Sequence, residues 1–138
     1  MRLIFSEKLP STVAAIEPTV KRLLESLRPE GWMDGHQSEI ELALREALAN
    51  AILHGNGGNE RKRVDLDCFA KRDGSLLLVV RDQGRGFDAG RLDDPTRPEN
   101  IFRAGGRGIF LIRHFMDEVE FDRGGREIRM HKKKDPAC

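Results

Sequence analysis

The chain of 138 residues is poor in cysteine, with only Cys68 and Cys138, far apart and in no metal-type spacing. That excludes a disulfide framework or a thiolate metal cluster and suits a reducing cytoplasm. It also lacks a charge imbalance: 24 Lys and Arg stand against 23 Asp and Glu, a net charge of +1. There is thus no electrostatic reason to expect direct contact with nucleic acid, whose backbone demands a basic face. No stretch approaches the ~20 apolar residues of a membrane span. The opening MRLIFSEKLP lacks the apolar run and small-residue cleavage site of a signal peptide. Internal repeats and interdomain linkers are missing too, so one domain over residues 1–138 is expected. What is there is a globular composition, 38% hydrophobic and 34% charged, not a disordered one.

The periodicities change along the chain. Residues 2–5 (RLIF) read as a short strand, stopped by Pro10. Residues 11–27 read as an amphipathic helix with Val13, Ile16, Val20, Leu23, Leu24 and Leu27 at three- and four-residue steps, and with Ser11 able to cap it. Pro18 inside that stretch predicts a kink or a later true start. RPEGWMDG (28–35) is a turn. A long helix follows over residues 39–56, stopped by the GNGGN cluster. Val64, Leu66, Cys68 and Ala70 then alternate with Asp65, Asp67 and Phe69 as a strand with one buried face. Asp73-Gly74 makes a hairpin turn into SLLLVVR (75–81), an apolar run expected of a central strand. Residues 82–106 show no periodicity, and a segment of that kind in a small domain is usually functional or mobile. GIFLIRHFM (108–116) is helical, with Ile109, Ile112, Phe115 and Met116 on one side. Two strands, 118–122 and 127–132, surround a hairpin at Gly124-Gly125, and the KKKDPAC tail is solvated. Tight turns join antiparallel strands, so the order predicts an α+β fold. It would be a two-layer α/β sandwich, a mixed but mostly antiparallel sheet with helices on one face.

Three stretches carry chemistry. In EIELALREALANAILHGN, the stripe Ile40, Leu44, Ala47, Leu48 and Ala51 should pack on the sheet, leaving Glu46 and Asn50 one turn apart and roughly opposite. Their helical neighbours Leu42, Ala43, Ala49 and Leu53 are apolar, which suggests a walled pocket; a carboxylate there is a better proton acceptor. Asn50 offers a neutral carbonyl oxygen, a hard ligand suited to Mg²⁺. The alternative is an ordinary exposed Glu and an Asn without a role. In VRDQGRGFD, a strand delivers Asp82, and Gly84 and Gly86 then free the backbone. A carboxylate held there can accept from an exocyclic amine such as adenine's, although Asp and Gly are also default turn residues. In AGGRGIFLI, glycines lead into a helix N-terminus, which favours an anion, and Arg107 adds charge, although a Gly-rich hinge before a helix reads the same way. No Gly-Lys-Ser/Thr follows, so it is not a Walker A loop.

In that order, the three motifs resemble the ATP-binding (Bergerat) fold shared by gyrase, Hsp90, histidine kinases and MutL, over about residues 36–132. EALANAILHGN, DPTRPEN and GGRGIFLIRHFMDEV make the chain most similar to the anti-sigma factor serine kinases. The resemblance implies a cytoplasmic ATP- and Mg²⁺-dependent kinase that phosphorylates a serine on an antagonist (anti-anti-sigma) protein and holds a sigma factor, commonly as a homodimer. It implies Glu46 as general base, Asn50 as Mg²⁺ ligand, Asp82 on the adenine amine, and Gly84 and Gly86 where the nucleotide nears the backbone. Residues 89–105 would form a lid. Gly106, Arg107 and Gly108 would face the phosphates, with Arg103 a further candidate for the γ-phosphate. His54 matches the end of the family's helix, where capping or packing suffices to explain it. The alternative function is an ATP-gated binding switch without transferase activity, because the same pocket serves both. A histidine kinase needs a phosphoacceptor His on a dimerisation helix, and residues 11–27 hold none. A gyrase- or MutL-type ATPase needs further domains.

Overall fold

The computed structural model describes residues 1–32, 35–84 and 106–134. Five strands form one sheet: β1 (Arg2–Pro10), β2 (Arg63–Ala70), β3 (Leu76–Arg81), β4 (Glu118–Asp122) and β5 (Glu127–Lys132), in the order β1-β2-β3-β5-β4. Every described pairing is antiparallel, so the expectation of a mixed sheet is refined to an antiparallel one. Three helices, α1 (Ile16–Leu27), α2 (Gln37–Ala49) and α3 (Gly106–Phe115), pack with the sheet around the core. The expected hairpins are present: Gly74, Gly124 and Gly125 all hold positive φ, the conformation that glycine adopts without a steric penalty.

The core lies where the periodicity put it. Val64, Leu66 and Cys68 of β2 and Leu76, Leu78 and Val80 of β3 meet Ile40, Leu44, Ala47, Leu48 and Ala51 of the long helix, all buried. The apolar run of β3 reflects burial on both faces. Leu77 and Val79, on the other face, are each 1% exposed. Their partners across the ladders are Phe69 and His131 for Leu77, and Asp67 and Arg129 for Val79. Ion pairs surround these positions: Arg81 contacts Asp67 at 3.0 Å and also Glu127, itself 2% exposed, which takes Arg129 at 3.3 Å and Arg123 at 3.4 Å. Long side chains of this kind cover apolar surface with their stems while keeping their heads in water.

One start and two ends differ from expectation. β1 runs on to Pro10 rather than stopping near Phe5, with a bulge between Leu3 and Phe5. The first helix begins late, after a 3₁₀ turn at Val13–Ala15, so Pro18 falls in the first α-helical turn, where its missing N–H costs nothing. Ser11 caps nothing; it is buried, and its hydroxyl accepts from Asn56 Nδ2 at 3.2 Å. The long helix changes pitch, α2 giving way to a π-helical turn over Asn50–Gly55. Such single turns recur at functional sites.

Asn56 holds the end of that turn against the sheet. It is 3% exposed. Its Oδ1 accepts from the Gln83 backbone N–H at 2.7 Å, and its Nδ2 donates to the Arg63 carbonyl at 3.1 Å as well as to Ser11. One side chain thus joins the helix end, the start of β2, the exit of β3 and the segment after β1. Asn56→Ala leaves these groups without their partner. Removing one member of a buried hydrogen-bonded set costs about 1–3 kcal/mol. Urea denaturation is expected to show a loss of that size with the m-value unchanged; a loss under ~0.5 kcal/mol, the scatter of neutral surface changes, would count against this account of the helix end.

Candidate nucleotide site

The antiparallel order places the end of β3, the start of β5 and the start of β2 side by side, and the π turn lies over them. The Asp82 N–H donates to the Arg126 carbonyl at 2.9 Å, which fixes its backbone to the neighbouring hairpin. Its side chain is half-buried against the turn, so close that a Cβ on Gly55 would lie 2.3 Å from Asp82 Oδ2. A Cβ on Gly84 would lie 1.7 Å from the Gly55 carbonyl oxygen. Both contacts require glycine, because no Cβ tolerates them. Gly84 N–H returns to Asp82 Oδ1 at 2.8 Å. Burial pushes the Asp82 carboxyl above the usual carboxylate range, opposed by the Gly84 N–H and by the charges of Arg126 and Lys62.

Beside Asp82, a small cavity is lined by Ala47, Asn50, Ala51, Val80, Phe121, Gly125, Arg126 and Ile128. Asn50 Oδ1 is a buried atom with no hydrogen-bond partner among the described residues. A buried amide oxygen without a partner is costly, and an oxygen held ready for a hard cation or for a ligand donor accounts for it. The donor set therefore suits a hard cation and an amine: a neutral oxygen ligand at Asn50 and a fixed carboxylate acceptor at Asp82, with apolar side chains beside them.

Glu46 lies one turn earlier, half-buried. A Cβ on Gly108 would be 3.0 Å from its Oε2, so the carboxylate faces the first turn of α3. The structure thus brings Glu46 to Gly108 and Asn50 to Asp82, and it seats Gly84 under Asp82. Gly106 and Arg107 open the backbone of α3, and the side chain of Arg107 is not among those described. Gly86, Arg103 and the lid expected over residues 89–105 also lie outside them. His54 is exposed.

The expected pocket wall needs correction. Ala43 is buried and Ala49 half-buried, but Leu42 and Leu53 are 44% and 45% exposed and face outward. The walls around Asn50 come from β3, β5 and the β4–β5 hairpin. Nor does Asn50 oppose the core stripe; it flanks it, since Ala47 and Ala51 line the same cavity. Three contributors escaped the sequence reading: Gly55, Asn56 and Arg126. Gly55 and Asn56 read there as helix-stopping residues, and Arg126 follows a hairpin with nothing to mark it. Spacing places Gly55 and Asn56 one turn beyond Ala51 and Ile52 on the same helix, and that was their only available signal.

Comparison with known proteins points to one family. The sequence profile of the histidine kinase-like ATPase domain matches residues 9–132. An anti-sigma F factor of Heyndrickxia coagulans is 30% identical over 132 residues, covering 91% of this chain and 79% of that protein. The serine-protein kinase RsbW of Staphylococcus epidermidis is 35% identical over 101 residues, 68% of this chain and 64% of that protein. An anti-sigma F factor of Priestia megaterium is 30% identical over 62% of this chain and 59% of its own length. The match therefore spans only about three fifths of some of these relatives. Among solved structures, the histidine kinase domain of the Erythrobacter litoralis EL346 blue-light activated histidine kinase superposes with a TM-score of 0.52 at 20% identity, over 89% of this chain and 59% of that one. That is a likeness of fold. The chain belongs to the histidine kinase-like ATPase domain family, in the group that includes the anti-sigma F factors and the RsbW serine-protein kinases.

Proposed function

We propose that this protein is an ATP-dependent protein serine kinase that phosphorylates a small antagonist protein and, when free of it, holds a sigma factor. The observation that carries the reading is the buried, unpartnered Asn50 oxygen beside Asp82, one helical turn from a Glu46 carboxylate aimed at the start of α3. The names of the relatives support the kinase and anti-sigma roles.

Asp82 accepts the exocyclic amine of adenine, the apolar walls take the ring, and Gly84 keeps the backbone beneath it free of side chains. Asn50 would ligate Mg²⁺, which when bound neutralises phosphate charge. The N-terminus of α3, with Gly106, Arg107 and Gly108, would receive the terminal phosphate on its free N–H groups. Glu46 takes the proton of the incoming serine hydroxyl. The new bond forms from the serine oxygen to the γ-phosphorus as the bond to the bridging oxygen breaks, leaving ADP. Most of the rate comes from positioning and charge stabilisation. Gly86 and Arg103, from the segment preceding α3, belong to the same proposed site, and a homodimer is the proposed assembly.

Incubation with labelled ATP and candidate antagonist proteins tests the reading; no label on any serine sinks the kinase. Glu46→Gln then separates a kinase from a nucleotide-gated switch. Transfer is expected to fall by about 10²–10⁴, the usual contribution of a general base, with ATP affinity within roughly threefold, as expected for a side chain that acts in the transition state rather than in binding. A pure switch would lose nothing measurable.

Asp82→Asn should weaken ATP binding by roughly ten- to hundredfold, the worth of a hydrogen bond to a charged acceptor. The same substitution has an opposite effect on the free protein. Because burial raises the carboxyl's pKa on folding, its contribution to stability is full below the unfolded pKa and is lost as pH rises through the folded one. At neutral pH, Asp82→Asn is therefore expected to be more stable than wild type in urea, and the gain should shrink near pH ~4, where unfolded carboxylates titrate. A gain that grows toward acid pH would contradict the assignment.

A further inference from the structure

The geometry points to Lys132 as a positioning residue, one that sets the register of α3 against α2 and so the approach of the phosphate-binding turn to Glu46. Lys132 ends β5 and is 4% exposed. Its ammonium donates to Glu39 Oε2 at 2.7 Å and to the Phe115 carbonyl at 2.6 Å. Glu39 stands in the first turn of α2, and Phe115 is the last residue of α3. A cation thus satisfies a terminal carbonyl at the negative end of one helix dipole, while its carboxylate partner sits at the positive end of another; both placements are favourable. His36 Nδ1 contacts the other Glu39 oxygen at 3.1 Å and holds the carboxylate in place.

The spacing gives the clamp its meaning. Glu39 precedes Glu46 by seven residues, and Phe115 follows Gly108 by seven. One contact joins the first pair of positions through Lys132, and Glu46 faces Gly108 at the other end. The two helices therefore run antiparallel in one register, with the clamp about 10 Å, two turns, from the catalytic pair. Between these ends the contact is apolar, with Ala43, Ala47 and Ile112 among its buried residues. Apolar contact is non-directional and resists a slide of one residue, about 1.5 Å, only through packing. A buried ion pair is a poor source of stability compared with an apolar replacement; what a directed ammonium between two fixed acceptors supplies is one arrangement rather than several. At the site, a shift of that size would move the N–H groups of α3 relative to Glu46 while leaving Asp82 and its adenine pocket untouched.

This inference rests on the proposed ATP chemistry, so its test reads binding, turnover and structure separately. Lys132→Met keeps the side-chain length and removes the charge; Glu39→Gln is the milder variant, because Glu39 is partly exposed and Lys132 keeps the Phe115 carbonyl. Basal Mg-ATP hydrolysis, with water as acceptor, is followed with titration of Mg-ATP and hydrogen exchange over residues 106–115. For folded Lys132→Met, kcat is expected to fall at least tenfold with KM within twofold, and α3 amides to exchange faster while those of α1 stay as in wild type. A smaller fall in kcat is expected for Glu39→Gln. Wild-type kcat in folded Lys132→Met overturns the proposal, as does a loss carried entirely by KM. If Lys132→Met does not fold, Glu39→Gln decides, and wild-type kcat there overturns it. If the wild-type protein neither binds nor hydrolyses ATP, the reading of the function fails. The clamp is then judged by exchange alone, and unchanged protection of α3 overturns it.

Discussion

The end of the long helix can meet the end of β3 only because glycines stand at the contact. Gly55 leaves room for the Asp82 carboxylate, and Gly84 leaves room for the Gly55 carbonyl. Everything at the site depends on that approach. A side chain on either residue would push the helix away from the strand, and Asn50 would lose the cavity it shares with Asp82. The π turn belongs to the same constraint, since it changes the helix path where Asn50 turns toward the sheet. Asn56, one residue past Gly55, then fixes the distance with hydrogen bonds to three neighbouring segments.

Much of the architecture was legible because it rests on period and turn chemistry. The strands of the second hairpin fall on residues 118–122 and 127–132, where alternation and Gly124-Gly125 placed them. The core stripe of the long helix is buried throughout. The site motifs were legible as residue types: Glu46, Asn50 and Asp82 converge from two elements that spacing alone relates only through a shared likeness. The errors have physical causes. Ser11 has the chemistry of a cap, and only the fold shows that its hydroxyl serves Asn56 instead. A π turn differs from an α turn by one carbonyl, and no residue type announces it. Leu42 and Leu53 looked like pocket walls because helical neighbours share a face, yet both side chains are exposed while Glu46 and Asn50 turn inward.

Burial at Asp82 and at Lys132 answers two different needs. Asp82 is half-buried with an incomplete set of partners: one backbone N–H and two nearby cations oppose a larger cost of desolvation, the pattern expected of the proposed ligand-binding role. Lys132 is dry and held by two acceptors inside the chain. Functional groups are expected among the first kind and positioning groups among the second. The same protein thus spends destabilising burial at one end of its sheet and satisfied burial at the other, with the helices between them carrying the geometry across.

The far face of the sheet has a different character. Leu77 and Val79 are dry, yet the residues flanking them across the ladders include Asp67, Arg129 and His131, and Arg81 and Glu127 complete the cover. The consequence is colloidal. This face meets water through paired charges, and the stems of its arginines cover the apolar side chains of the central strand. Without those stems, Leu77 and Val79 would lie bare as an apolar stripe along the central strand, a surface on which copies of the chain could associate. The ion pairs on this face thus do more than fix charge: their side chains keep the central strand's outer apolar stripe from water.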